Sequence, residues 1–240
     1  MMKKTSFLLL TSLLLIPQNS YAQNISQVMD SLGNVDITLK ILFLITILAL
    51  APSILITVTS FTRIVIILSL LRHALGTPQT PPNQVVIALS LFLTFFSMAP
   101  TFKKIDNVAL KPYLNGKLSD VEAVKKATLP LKEFMIRNTR KEDLKLFLDI
   151  RGEKPKNPEE VSMVTLIPAF MVSEIRTAFE FVFVVFLPFI VIDLLVASIL
   201  MSMGMMMIPP MMLSLPFKLI LFVVSGGWEL LVKSILVSYK

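Results

Sequence analysis

Between Ile41 and Leu71 the chain runs 31 residues with a single charge, Arg63. Three further stretches follow the same pattern. Val85 to Ala99 has no charge, Phe181 to Leu200 has only Asp193, and Leu213 to Val224 has only Lys218. A hydrocarbon core about 30 Å thick is spanned by roughly 20 apolar residues in a helix, so these runs predict membrane-embedded helices. Composition agrees. Of 240 residues 55% are hydrophobic and 16% charged, with a mean hydropathy of +0.77, whereas soluble domains carry about 25% charged residues. A disordered chain, which needs low hydrophobicity, is excluded on the same grounds.

The N-terminus reads as a targeting segment. Lys3 and Lys4 precede a ten-residue apolar stretch from Phe7 to Ile16, then Pro17 and the small-residue site Ser20-Tyr21-Ala22. This is the pattern of a cleavable secretory signal over 1–22. It leaves 23–40 as an extracytoplasmic N-terminal segment.

The remainder divides into two apolar blocks around a polar insert. Residues 41–100 read as a helical hairpin, kinked at Pro52, turned at Gly76 to Asn83 and closed by Pro100. Residues 161–240 read as a second proline-kinked hairpin. Its methionine-rich loop at 201–212 holds seven of the chain's 14 methionines. Between them, 101–160 holds 14 Lys/Arg and 10 Asp/Glu with signs interspersed, as on a solvated surface. Ser119–Glu122, Thr139–Glu142 and Asn157–Glu160 each have the spacing of a capping box. Leu144, Phe147 and Leu148 share a helical face, and Arg151-Gly152 reads as a helix end. The expected fold is therefore an all-α membrane protein with a small helical extramembrane insert.

Counting four passages from an outside N-terminus puts the basic insert outside, against the positive-inside tendency. That tendency weakens for long loops, and the signal sets the first orientation. Broken apolar helices at membrane depth must be buried in protein or line a cavity, so the prolines point to helices packed against other subunits.

Several functions are disfavoured. There are no cysteines, so no disulfide framework, thiolate metal site or cysteine nucleophile exists. The one histidine, His73, stands beside Arg72 in what reads as an aqueous-facing loop. No H-E-x-x-H, G-x-S-x-G or Walker motif is present, which predicts a non-enzyme without cofactors or metals. The net charge of +7 lacks the interleaved aromatics of a nucleic-acid surface, so no nucleic-acid partner is expected.

Charges in apolar runs usually pair or face a wet interior. Asp193 and Lys218 flank the methionine turn at comparable distances along its two arms and can meet as a buried ion pair. Glu174 and Arg176 suit an interfacial pair or a subunit contact. Methionines at 205, 206 and 207, with Gly204 before and Pro209-Pro210 after, suggest a flexible apolar loop rather than helical packing. Copies meeting around an axis could close a pore with it.

The strings Phe61-Thr62-Arg63-Ile64-Val65-Ile66, Leu71-Arg72-His73-Ala74-Leu75-Gly76-Thr77 and Thr80-Pro81-Pro82-Asn83-Gln84 resemble the FliP family of flagellar export-gate proteins. So do Leu93 to Pro100, Pro168 to Ile175, Met203 to Pro210 and Leu215 to Lys218. The likeness covers nearly all of the chain after the signal. It implies a homo-pentameric ring joined to FliQ, FliR and FlhB in the bacterial inner membrane, within the flagellar basal body and raised toward the periplasm. Such a gate passes unfolded flagellar proteins. The resemblance further implies that Met205, Met206 and Met207 form a pore gasket, and that Arg63 and Glu174 are assembly contacts. A virulence-injectisome gate, a small-molecule transporter and an intramembrane enzyme are the alternative readings. The signal segment favours the flagellar branch.

Overall fold

The computed structural model describes residues 37–205 and 209–239. The expected signal segment, most of 23–40, and Met206 and Met207 lie outside them. Among the described residues every regular element is helical. They are α1 (Ile37–Val58), α2 (Phe61–Ala74), α3 (Asn83–Ile105), a π-helical turn (Asp106–Leu110), α4 (Lys111–Leu114), α5 (Asp120–Asn138), α6 (Lys141–Arg151), a 3-10 turn (Pro158–Glu160), α7 (Met163–Ser202), α8 (Pro210–Val224) and α9 (Gly227–Val237).

α2 is the central element. Ile64, Ile67, Leu68 and Leu71 recur at helical spacing and are almost fully buried, forming one continuous apolar face. That face packs chiefly on α7 and on α3. From α7 it meets Leu166, Phe170, Ala178 and Val182, which fall on one side of that helix.

The first hairpin turns sharply after its proline. α1 runs through Pro52 to Val58, and an 86° bend falls between Val58 and Phe61. The hydroxyls there supply the reason. Thr62 Oγ1 donates to Ile56 O at 2.7 Å, and Thr59 Oγ1 accepts from Phe61 N at 3.3 Å. Side-chain hydroxyls thus satisfy backbone groups freed at the corner, as a buried break requires.

Pro100 does not close the second run. α3 continues through it to Ile105 and on through the π-helical turn. Met98 and Thr101 are buried on either side of the proline, and packing on α2 and α5 carries the helix across the missing bond.

α7 is the longest element. It has 40 residues and passes Pro168 and Pro188 without ending. At 1.5 Å per residue that is about 60 Å, roughly twice the hydrocarbon thickness. Its first half packs on α5 and α6 of the insert, and its second half is apolar and largely exposed. α8 and α9 meet at a 64° bend. Gly226 sits there at φ +65°, and a Cβ on Gly227 would lie 2.3 Å from the Phe222 ring. By length and composition, two helices can cross a membrane, and up to four passages arise if each bent pair is one span.

The insert is helical, with one of its three expected capping boxes formed. Ser119 N donates to Glu122 Oε2 at 3.0 Å, and Glu122 N donates to Ser119 Oγ at 3.4 Å. Thr139 instead turns back and donates to Met135 O at 2.7 Å, and Arg140 takes the N-cap position of α6. Asn157 precedes only a single 3-10 turn. α6 ends at Arg151, with Gly152 left-handed at φ +66°.

Candidate functional site

The end of α7 is shaped by backbone chemistry. Gly204 adopts φ +74°, Gly204 N donates to Met201 O at 3.1 Å, and Met205 N donates to Leu200 O at 2.9 Å. This pair of bonds is a Schellman motif, which needs a residue tolerant of the left-handed region. Pro210 then stands in the first turn of α8, where its missing N–H costs nothing. The two helices therefore present an apolar tip. Met201, Met203, Met211 and Met212 expose 60% or more of their surface, and Met205 exposes 37%. Met206 and Met207 lie outside the described residues.

Below the tip, α7 and α8 are tied by charge. Lys218 Nζ donates to Asp193 Oδ2 at 2.6 Å and to Ala74 O at 3.3 Å. Ser214 Oγ donates to Asp193 Oδ1 at 2.5 Å. Lys218 is 3% exposed and Asp193 31%. The ammonium sits at the C-terminal end of α2, where unpaired carbonyls favour a cation. One lysine thus joins α2, α7 and α8.

Arg63 and Glu174 form a buried ion pair within the chain, with side-chain exposures of 4% and 0%. Tyr239 OH donates to Glu174 Oε2 at 2.6 Å and lies 3.2 Å from Ser60 O. Arg63 Nη1 donates to Ser238 Oγ at 3.0 Å, and its guanidinium lies 4.0 Å from the centre of the Tyr239 ring. That ring stacks on Phe134 of α5 at 6.0 Å between centroids. A charge pair this dry needs partners for its other donors and acceptors; Tyr239 supplies one to Glu174 Oε2 and Ser238 one to Arg63 Nη1, while the buried Arg63 Nε has no hydrogen-bond partner among the described residues. Neither residue is marked by anything local in the sequence. Their partners are 65 and 175 positions away.

Arg176 does not pair with Glu174. It reaches Asp143 at 3.2 Å, a buried carboxylate that also accepts from Ser173 Oγ at 2.7 Å. Ser173 Oγ in turn accepts from Arg140 N at 2.9 Å, and the Arg140 guanidinium grips Glu180. The insert is thereby clamped to α7 on one polar face. Arg72 is buried at the end of α2 and donates to Pro81 O at 2.9 Å and Asn83 Oδ1 at 2.8 Å, pinning the turn before α3. His73 sits in the last turn of α2 rather than in a loop. Among the described residues no three His, Asp or Glu side chains converge as a metal site.

The described residues form a braced polar core, a long helix rising from it, and an apolar tip at that helix's end. The FliP family profile matches residues 44–235, a range that contains Arg63, Glu174, Asp193, Met205 to Met207 and Lys218. The chain is 55% identical over 211 residues to the flagellar biosynthetic protein FliP of Aquifex aeolicus (strain VF5), covering 87% of this chain and 88% of that one. It is 53% identical over 207 residues to the protein of the same name from Bacillus subtilis (strain 168), covering 86% and 94%. Against that of Caulobacter vibrioides the identity is 47% over 209 residues. The chain belongs to the FliP family.

Proposed function

We propose that this protein is a channel-forming subunit of the flagellar protein export gate, seated in the inner membrane at the basal body. Five copies form a ring with FliQ, FliR and FlhB, and unfolded flagellar proteins pass through it. The observation that carries the reading is the exposed methionine tip, held by a Schellman turn at the end of a helix braced by two ion pairs, in a chain of this family.

The mechanism follows from the side chains. Thioethers of Met205, Met206 and Met207 from several copies pack across the axis and form a dry constriction, which blocks ions by excluding water. A passing polypeptide displaces them without breaking strong polar bonds, because methionine is flexible and apolar. No step requires a nucleophile or a cofactor, so the protein acts as a conduit and not as an enzyme. The length of α7 supports a position raised out of the bilayer, since about 60 Å of helix exceeds the hydrocarbon core twofold. The apolar outer faces of α3, α7 and α8, bearing Phe92, Phe96, Phe183 and Phe217, are surfaces for neighbouring subunits and lipid.

The native mass of the complex, extracted gently from its own membranes, tests the assembly. A discrete particle with five copies and other membrane subunits is expected; a stable monomer or dimer overturns it.

A further inference from the structure

The insert carries a groove that the gate reading leaves unused. It lies between α5 and the stretch from the end of α3 to α4, with a volume of about 1030 Å³. Its floor is apolar and open to solvent. Leu129 exposes 56% and Val108 42%, and Ile136 and Pro130 complete it. Its rim is basic. Lys104 is paired with Glu133 at 2.8 Å, but Lys126 and Arg137 make no ion pair among the described residues. An exposed apolar floor with surplus cations suits an amphipathic, acidic segment.

The chain contains one of that chemistry, outside the described residues. Residues 23–36 hold Ile25, Val28, Met29 and Leu32 at the spacing of one helical face. Their only charged side chains are Asp30, within 25–32, and Asp36. Asn24 and Gln27 have capping-box spacing, and Gly33 follows as a stop signal. Counting α1–α2 as one passage and α3 as the return puts this segment and the insert on the same side of the membrane. The 14 residues reach up to about 48 Å when extended, and they are tethered to the chain that carries the groove. We propose that residues 25–32 dock into this groove of their own chain, laying Val28 and Met29 over Leu129. This inference stands independently of the gate function.

The chain has no cysteine, so introduced pairs report cleanly. Full-length Val28→Cys/Leu129→Cys is oxidised in its native membranes and compared with Gln27→Cys/Leu129→Cys, whose first thiol lies on the opposite helical face. Docking predicts an intrachain disulfide formed roughly tenfold more in the first pair. Loss of both free thiols to a maleimide reagent without a mass shift provides the readout. Leu32→Cys/Val108→Cys serves as a second pair where the first does not accumulate. Equal yields in facing and opposite pairs overturn the proposal. So does a covalent dimer, which assigns the groove to a second copy. So does the absence of any link in variants that accumulate normally, which leaves the groove to lipid or another protein.

Discussion

The phenol of Tyr239 donates to the carboxylate of Glu174 at 2.6 Å across 65 positions of sequence. Through that bond Tyr239, just beyond α9, closes a buried site that also holds Arg63. The outgoing arm of the α7–α8–α9 hairpin is thus fastened back to the long incoming one. Phe134 beneath the tyrosine ring extends the link to the insert. The network gives the tip a fixed base.

Tyr239→Phe keeps the ring and removes the hydroxyl. Glu174 Oε2 then loses its donor in a dry site, at a cost of about 1–3 kcal/mol. The complex is expected to melt at lower temperature while still assembling. Tyr239→Ala also removes the stacking on Phe134 and Arg63 and is expected to be worse. Thermal unfolding of the two purified complexes checks the order; a Tyr239→Phe complex as stable as the parent would show that the hydroxyl contributes nothing, and equal losses in the two variants would show that the ring adds nothing beyond it.

Arg63→Met alone strands a buried carboxylate, and Glu174→Leu alone strands a buried guanidinium. Each is expected to cost about 3–5 kcal/mol and to reduce the amount of assembled complex, with the double variant recovering part of the loss. Band intensity of the complex on native gels of membrane extracts reads this. A double variant as depleted as the sum of the singles argues against direct coupling.

The pair on the hairpin arms is unequal. Lys218 is 3% exposed and Asp193 31%. Lys218→Met loses bonds to both Asp193 and Ala74 O, whereas Asp193→Asn keeps Ser214 within reach and some water. Lys218→Met is expected to destabilise more, by a margin of about 1 kcal/mol. Protease sensitivity of the tip in the two variants is the measurement, and greater cleavage in Asp193→Asn would reverse the assignment.

Gly227→Ala places a methyl 2.3 Å from the Phe222 ring. The ring must move, and with it the 64° bend of α8 on α9. Overpacking of this kind costs about 1–3 kcal/mol. Thermal stability falls, and the companion change Phe222→Leu is expected to restore it in part.

The capping box of α5 makes one pH dependence explicit. The Ser119 backbone N–H, followed by its hydroxyl, holds the Glu122 carboxyl below the usual glutamate range. Its folded value lies below its unfolded one. The contribution is therefore full above the ordinary glutamate pKa and is lost as pH falls through the lowered folded value. Thermal midpoints recorded down this acid range should fall less steeply for Glu122→Gln than for the parent; parallel slopes would assign the acid sensitivity to other groups.

What the sequence determined by itself is local or bounded by a hairpin. Apolar runs set the helices, because lipid leaves the backbone no other partner. Gly204 and Gly152 mark helix ends, and Ser119 with Glu122 marks a start, since caps act within a few residues. Residues 193 and 218 lie opposite each other by the symmetry of two arms around one turn, 25 positions apart. The tertiary structure decided the rest. Arg63 faces Glu174 at a separation of 111 residues, Arg176 faces Asp143, and the corner after α1 falls on hydroxyls rather than on Pro52. The helices run on through Pro100, Pro168 and Pro188; at Pro100, packing on α2 and α5 holds the helix across the lost bond. Helix packing selects these outcomes, and it depends on which faces meet across the whole chain, which no stretch of a few residues encodes.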